Sequence, residues 1–537
     1  MPTFTIDGKT IEVASGRTIL QALDDAGFLK NGVDVPHFCW HSKLSIDGSC
    51  RMCQVEVEGI PKLQIACNTP VQDGMVVHTQ NERVRVARER VLELLLLNHP
   101  LDCPICDEAG ECKLQDYSNE YGSAHSRSRE PRRALEKNVD LGPHIVFDQE
   151  RCILCRRCVR FCREIPKTGE LAVFGRGDRS VLETWPGRPL DNDYSMNVVD
   201  LCPVGALTTA DFRFAIRAWF LQEVEGVCTG CAKGCNIYLD VAKGKVHRYR
   251  PRRNDFVNET WLCDTGRLSY REIAAPHRLR TSCVRSPAGA LEAANFEAAV
   301  GVAATRLRSV IASKGAGVVA GVASAHATNE DLFTFRRFLD ALGADNAAVA
   351  VAKGDADDLL VEEEKGANAA GARALGFGDA SVLAERIRSG GIDAVICLGH
   401  DILEEGLLGG TDELAGLDTV IALDTHQTAL SRVAHVLFAV RHAAEKDGTL
   451  TNAEGRVQRV HRAALPAFEV HSEGFVLAAL GAALSVDGFD SPYDVREASK
   501  SLANVLPAFE GIDLDSVGDR GRVLRPAGSR AGPAVGE

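Results

Sequence analysis

Cys152-Ile153-Leu154-Cys155-Arg156-Arg157-Cys158-Val159-Arg160-Phe161-Cys162 spaces four thiols as C-x2-C-x2-C-x3-C. This is the spacing with which a loop ligates a 4Fe–4S cluster. Where such runs come in pairs, the fourth cysteine of one run serves the other cluster. Here only Cys202-Pro203 follows downstream. If it closed a second run, the preceding thiols would stand at positions held by Asn192, Ser195 and Val198. One cluster of the pair has therefore lost its ligands. Cys152, Cys155, Cys158 and Cys202 remain to hold one 4Fe–4S cluster, and Cys162 is expected to be a buried bystander.

Three more sets extend outward from this run. Upstream, Cys39, Cys50, Cys53 and Cys67 are spaced C-x10-C-x2-C-x13-C, with Gly48 giving the loop freedom to wrap closely around a metal. Four thiolates at a related spacing hold the 2Fe–2S cluster of plant-type ferredoxins, and a four-cysteine zinc site is the alternative. His99, Cys103, Cys106 and Cys112 follow as H-x3-C-x2-C-x5-C. Imidazole replaces thiolate in some iron–sulfur centres, so His99 is read as the fourth ligand of a 4Fe–4S cluster. The alternative is a zinc site of three cysteines and one histidine. Downstream, Cys228, Cys231, Cys235 and Cys263, spaced C-x2-C-x3-C-x27-C, match another 4Fe–4S cluster. Cys283 and Cys397 have no partners at ligand spacing and read as packing residues.

The rest of the chain fits this picture. Its 537 residues suggest several domains, and 16 of the 18 cysteines lie at or before Cys263. No basic-then-apolar leader opens the sequence and no apolar run nears the roughly 18 residues a membrane span needs, so disulfides are disfavoured and a soluble, cytoplasmic chain is expected. A net charge of −13 argues against nucleic acid or a membrane surface as partner. Residues 4–13 alternate around an Asp-Gly turn, which predicts a hairpin. A short helix is expected over 18–26, with strands near 53–58, 63–67 and 76–79. Apolar Val84, Val91, Leu94, Leu95 and Leu97 predict an amphipathic helix over 81–98, stopped by Pro100. The Arg- and Ser-rich stretch 118–143 reads as a solvated linker. After residue 280, strand-length apolar runs at 318–323, 394–398 and 419–423 alternate with helices such as 329–342, capped by Thr328. That pattern predicts an α/β layer with a parallel sheet. Gly315-Ala316-Gly317 precedes its strand, where a dinucleotide fingerprint follows one, and is discounted.

The four ordered sets resemble a family of iron–sulfur subunits of respiratory complex I, that of the G subunit of bacterial NADH-quinone oxidoreductase. Glu445-Lys446-Asp447-Gly448-Thr449-Leu450-Thr451-Asn452-Ala453-Glu454-Gly455-Arg456-Val457-Gln458 is also similar to a signature of the molybdopterin-oxidoreductase fold that this family inherited. The resemblance implies an α+β multidomain chain. Its parts would be a β-grasp-like 2Fe–2S ferredoxin domain (1–80), a 4Fe–4S segment with one histidine and three cysteines (81–120), a ferredoxin-like 4Fe–4S domain (140–217) and a 4Fe–4S domain of molybdopterin-oxidoreductase type (218–275). A truncated α/β molybdopterin-oxidoreductase-like domain (276–520) and a disordered tail (521–537) would follow. It implies one 2Fe–2S and three 4Fe–4S clusters, with electrons arriving from a flavin-bearing NADH-oxidising subunit. They would leave through a ferredoxin-like subunit toward the quinone site, with the fourth cluster off the main path. Other peripheral-arm subunits are implied partners, and the chain would lie at the cytoplasmic face of the inner membrane, peripheral to it and without inserting. It would be part of a proton-translocating NADH:quinone oxidoreductase with no active site of its own. Two departures argue against molybdopterin: the α/β part is short, and Thr265 stands where pterin-dependent relatives commonly carry lysine. The alternatives are a molybdenum-containing catalytic subunit of an NAD-linked formate dehydrogenase and the diaphorase subunit of an NAD-reducing hydrogenase. The four arginines Arg156, Arg157, Arg160 and Arg163 near the third set have two readings, a charge that stabilises the reduced cluster or a solvated helix face, and the solvated face is the one expected here.

Overall fold

The structure, a computed structural model, describes residues 1–29, 35–399, 401–404 and 407–525. It divides into two units, Met1–Leu221 and Gln222–Glu537.

The first unit opens with the expected hairpin, Thr3–Ile6 against Lys9–Glu12. Thr3–Ile6 also runs parallel to Met75–His78, which pairs with Gln54–Val57 and through it with Gln64–Ile65. The helix Ile19–Asp25 starts at a capping box of Thr18 and Gln21, which satisfies two backbone N–H groups reciprocally. Its Ile19, Leu20 and Leu23 pack with Phe4, Ile6, Ile11, Val55 and Val77. Trp40, Cys53 and Cys67 belong to the same core, so the first cysteine loop is anchored in the sheet's apolar interior.

Asn81 caps the helix Glu82–Leu96 through the Val84 N–H. Its buried face differs from the expected one. Val84, Arg88 and Leu92 point inward at i, i+4, i+8, while Leu94 and Leu97 are exposed. Arg88 is drawn in because its guanidinium reaches the Gln54 carbonyl at 3.1 Å and lies 5.0 Å over the Tyr121 ring. Tyr121 ends a helix, Lys113–Tyr121, that enters the stretch expected as linker and buries Leu114, Tyr117 and Tyr121 on one face. Beyond it the chain is irregular and largely exposed as far as Val139. A three-stranded sheet of Leu207–Thr209, Ile145–Phe147 and Val139–Asp140 then forms, with the helices Arg157–Glu164 and Asn197–Leu201.

The second unit begins with an antiparallel sheet of Gln222–Val227, Asn236–Ala242 and Lys245–Pro251. An eight-stranded sheet follows. Six of its strands run parallel in the order Val436–Ala439, Thr419–Asp424, Ala394–Leu398, Val319–Ser324, Asn346–Ala350 and Gly378–Asp379. Ser282–Arg285 and Leu291–Ala294 add an antiparallel edge. The three strands read from sequence are central here, buried on both faces, which is why they appear as unbroken apolar runs. Thr328 caps the helix Asn329–Leu342 as expected. Cys397 is buried in a central strand and Cys283 lies in the antiparallel edge. Within the segment expected as a disordered tail, Arg522–Val523 pair as a strand with Arg456–Val457; residues 526–537 lie outside the described residues.

Candidate metal centres

In the first set the sulfurs pair two and two. The Cys39 and Cys50 thiols hydrogen-bond one another, as do those of Cys53 and Cys67. Cys39 is held down to about 5 by Cys50, whose own thiol is pushed up in return. The turn that brings them round uses Gly48 and Arg51, both at positive φ. Two thiolates on each of two irons is the donor pattern of a 2Fe–2S rhomb, and this arrangement fits it.

In the third set Cys152, Cys155, Cys158 and Cys202 line one cavity. Its other walls are apolar, among them Phe147, Leu182, Val204 and Leu207. Leu154 and Arg156 adopt left-handed backbone angles, curling the loop, and the Leu154 N–H donates to Cys152 Sγ at 3.4 Å. Burial pushes all four thiols up, Cys152 to about 12. A cationic cluster would reverse that penalty, because a metal-bound thiol is deprotonated outright. Cys162 does not line this cavity. It is fully buried one turn along the helix, with Glu170 as its polar neighbour.

The second set is assembled at the end of the Glu82–Leu96 helix. His99 Nδ1 is buried without a hydrogen-bond partner, and burial together with Arg151 holds the ring neutral, down to about 4. A neutral imidazole is the form that donates a lone pair to metal. Cys106 and Cys112 are buried, whereas Cys103, on the 3-10 turn Cys103–Ile105, is exposed. Cys112 caps the helix Lys113–Tyr121, and the Lys113 N–H donates to the Pro203 carbonyl at 3.2 Å, tying this set to the third. Gly205 touches Cys106 so closely that a Cβ there would lie 2.1 Å from its sulfur.

In the second unit, Cys228, Cys231 and Cys235 occupy the loop between the strands Gln222–Val227 and Asn236–Ala242, and Cys263 caps the helix Asp264–Leu268. Gly266 forms a cradle: its N–H donates to Cys263 Sγ at 3.3 Å, and a Cβ would lie 3.0 Å from Cys228 Sγ. The 445–458 stretch pins this loop from behind. Gln458 donates to the Gly234 carbonyl at 2.9 Å, Asn452 to the Lys233 carbonyl at 3.3 Å, and the Ala453 N–H to the Ala232 carbonyl at 2.8 Å. The same stretch is stitched into the α/β layer by buried ion pairs, Glu445 with Arg278 at 2.6 Å and Lys446 with Asp331 and Glu473 at 3.0 and 2.6 Å.

Outside the thiol sets, Glu272, His277 and His426 bring their ligand atoms within 4.8 Å of one another. That trio is itself poorly disposed, since both His426 ring nitrogens already hold hydrogen bonds at 2.8 Å.

Five family patterns match the chain in order. They are the 2Fe-2S iron-sulfur cluster binding domain over 1–82, the NADH-ubiquinone oxidoreductase-G iron-sulfur binding region over 88–127, and the ferredoxin-like domain of NADH-quinone oxidoreductase subunit 3 over 142–208. The molybdopterin oxidoreductase Fe4S4 domain follows over 221–275 and molybdopterin oxidoreductase over 360–483. The chain is 39% identical to the G subunit of NADH-quinone oxidoreductase from Rickettsia felis over 349 residues, 65% of this chain and 50% of that one. The chain is a homologue of that subunit. The mitochondrial 78 kDa subunit of NADH-ubiquinone oxidoreductase from Candida albicans is also 39% identical, over 65% of this chain and 47% of its own. So is the alpha subunit of an NADPH-Fe(3+) oxidoreductase from Geobacter sulfurreducens, over 64% and 40%. A solved NAD+-reducing [NiFe]-hydrogenase matches at 31% identity over 40% of this chain and 90% of that chain, with a TM-score of 0.35. The chain spans about half the length of the curated relatives it matches.

Within this homologue of the NADH-quinone oxidoreductase subunit, one expectation needs correcting. The arginines of the Arg157–Glu164 helix are not a uniformly solvated face. Arg156 and Arg163 are surface residues paired with Asp47 at 2.8 Å and Glu164 at 3.1 Å. Arg160 is buried, donating to the carbonyls of Ser45 and Cys39, and Arg157 is partly buried, donating to those of Trp40 and Leu201. The spacing of four arginines along this short helix gave no sign of this, because what buries two of them is the first cysteine loop, distant in sequence. Arg151 was missed altogether; it is buried between Asp102 and Asp148 beside His99.

Proposed function

We propose that this chain is the electron-transfer subunit of an NADH-quinone oxidoreductase. It would relay electrons from a flavin-bearing NADH-oxidising subunit toward a ferredoxin-like subunit and the quinone site, at the cytoplasmic face of the membrane. In this reading Cys39, Cys50, Cys53 and Cys67 hold a 2Fe–2S cluster. Three sets hold 4Fe–4S clusters: His99, Cys103, Cys106 and Cys112; Cys152, Cys155, Cys158 and Cys202; and Cys228, Cys231, Cys235 and Cys263. The clusters supply one-electron redox chemistry; the chain supplies burial, apolar walls and N–H donors to sulfur, which set how readily each accepts an electron. The observation that carries the reading is the succession of four largely buried donor sets in the order of the family patterns the chain matches. Cys162, outside the third cavity, is a packing residue. The α/β layer serves as scaffold, its 445–458 hairpin bracing the fourth cysteine loop. No helix among the described residues is long and apolar enough to cross a membrane.

Equal identity to an NADPH-Fe(3+) oxidoreductase subunit makes a ferric acceptor the competing reading. Purification of the native complex under anaerobic conditions tests both. The proposal expects about 14 iron atoms per chain with little zinc and no molybdenum, cluster reduction by NADH, and turnover with a quinone. Turnover with ferric iron and NADPH, but not with quinone, would overturn it in favour of the second reading, and stoichiometric molybdenum would overturn both.

A further inference from the structure

One guanidinium stands between the first and third thiol sets. We propose that Arg157 is an electrostatic tuning residue shared by these two sets, its fixed charge raising the reduction potentials of both clusters together. The inference rests on the ligand sets proposed above.

Arg157 lies in the chain between Cys155 and Cys158 and opens the helix Arg157–Glu164. One prong of its fork, Nη1, donates to the carbonyl of Leu201 at 3.2 Å, the residue before Cys202. The other, Nη2, donates to the carbonyl of Trp40, the residue after Cys39. The guanidinium thus touches the backbone of both loops, near enough for its charge to act on the thiols of Cys155, Cys50, Cys39 and Cys202. Its Nε is shielded from solvent and has no acceptor.

The contrast with the neighbouring arginines is what gives Arg157 its meaning. Arg151, beside the second set, is neutralised by Asp102 at 2.9 Å and Asp148 at 3.2 Å. Arg156 and Arg163 spend their charge on the carboxylates of Asp47 and Glu164. Arg160 reaches only the first loop, at Ser45 and Cys39. Among the described residues no carboxylate hydrogen-bonds Arg157; carbonyl oxygens satisfy its donors without cancelling its charge. A cation placed where water is excluded acts strongly on nearby charge. Reduction adds one electron, and so one negative charge, to either cluster, so the reduced forms gain most. Because one residue serves both, the two potentials move in step and the driving force between them is preserved.

The test is an EPR-monitored redox titration, with dithionite as reductant, of the purified complex carrying Arg157→Gln, Arg157→Lys or Arg163→Gln. Arg157→Gln is expected to lower the midpoints of the 2Fe–2S signal and of the third-set 4Fe–4S signal together. Each should change by about tenfold in its one-electron reduction equilibrium, or about 59 mV. Arg157→Lys, which keeps the charge but cannot fork to both carbonyls, should leave both near the parent values, as should Arg163→Gln. Unchanged midpoints in Arg157→Gln, a shift of one signal alone, or equal shifts in the Gln and Lys variants would overturn the proposal. The last outcome would make Arg157 a backbone clamp. Should the Gln variant lose iron, the Lys variant decides: retained midpoints uphold the role of charge and a joint fall refutes it. Failure of the ligand assignment is read separately, from the iron content and signals of the parent complex.

Discussion

Gly205→Ala adds one methyl group and should remove one cluster. Gly205 has no positive φ, so alanine is acceptable to its backbone and any effect must come through contact. The new Cβ would lie 2.1 Å from Cys106 Sγ and 2.9 Å from Glu108 Cβ. Non-bonded heavy atoms settle at about 3.5–4.0 Å, so the sulfur contact is short by about 1.5 Å. The backbone around Gly205 has little room to retreat. Its carbonyl accepts from Arg151 at 3.4 Å, and Ala206 is bonded on both sides, its N–H to the Val204 carbonyl and its carbonyl to the Asp148 N–H, each at 2.8 Å. Relief therefore comes from rotating the Cys106 side chain, the cheapest moving part, and overpacking of this kind costs about 1–3 kcal/mol. A chain of this size can absorb that and stay folded. A cluster that loses one of its four ligands cannot. The expected product carries about ten iron atoms where the parent carries about fourteen. Its reduced EPR spectrum should lack the second-set signal and retain the others. Full iron content with an unchanged spectrum would show that Cys106 is not held in a ligand position by this contact, and the assignment of the second set would fall with it.

Three further outcomes separate roles that the sequence leaves entangled. Cys162→Ala should keep the full iron content and a third-set signal, whereas Cys202→Ala should lose both that signal and about four iron atoms; the reverse pattern would exchange the two cysteines. Lys446→Met leaves Asp331 and Glu473 buried without their cation, and should destabilise the second unit by about 3–5 kcal/mol, read as a lowered thermal midpoint; an unshifted midpoint would mean that these carboxylates do not depend on Lys446. Burial lifts the Glu330 carboxyl from its ordinary 4.5 to about 7, so the folded chain binds that proton more tightly than the unfolded one. Its contribution is then complete below about pH 4.5 and is lost as pH rises through about 7, about 3 kcal/mol in all. The thermal midpoint of the Glu330→Gln protein should accordingly gain on the parent between about pH 5 and pH 8, and a gap that does not vary with pH would show Glu330 ionised throughout.

What could be read from sequence divides along a physical line. Ligand spacing is local chemistry: a loop that wraps a cluster must return a donor every few residues, so the Cys152–Cys158 run and the Cys50–Cys53 pair were visible without any fold. Strands buried on both faces are equally local, and Ala394–Leu398 was legible as an apolar run with its bounds intact. Cys202 was reachable only by counting the thiols missing upstream of it, an argument from absence that the shared cavity now replaces with proximity. The charged residues behaved differently. Arg88, Arg151, Arg157 and Arg160 look like surface residues in one dimension, although the last three stand beside the cysteines of the third set. Each is buried or partly buried by a partner far along the chain: Arg88 by Gln54, Arg151 by Asp102, Arg157 by Trp40 and Arg160 by Cys39. The same holds for the 445–458 stretch, which sequence marked only as a family signature. Its Lys446, Asn452 and Gln458 prove to be tension members running from the α/β layer to the loop of Cys231 and Cys235. Sequence therefore offers candidate ligands, because donors must cluster to chelate. It does not tell which of several nearby arginines keeps its charge beside a cluster, because that depends on carboxylates and carbonyls brought up by distant parts of the chain.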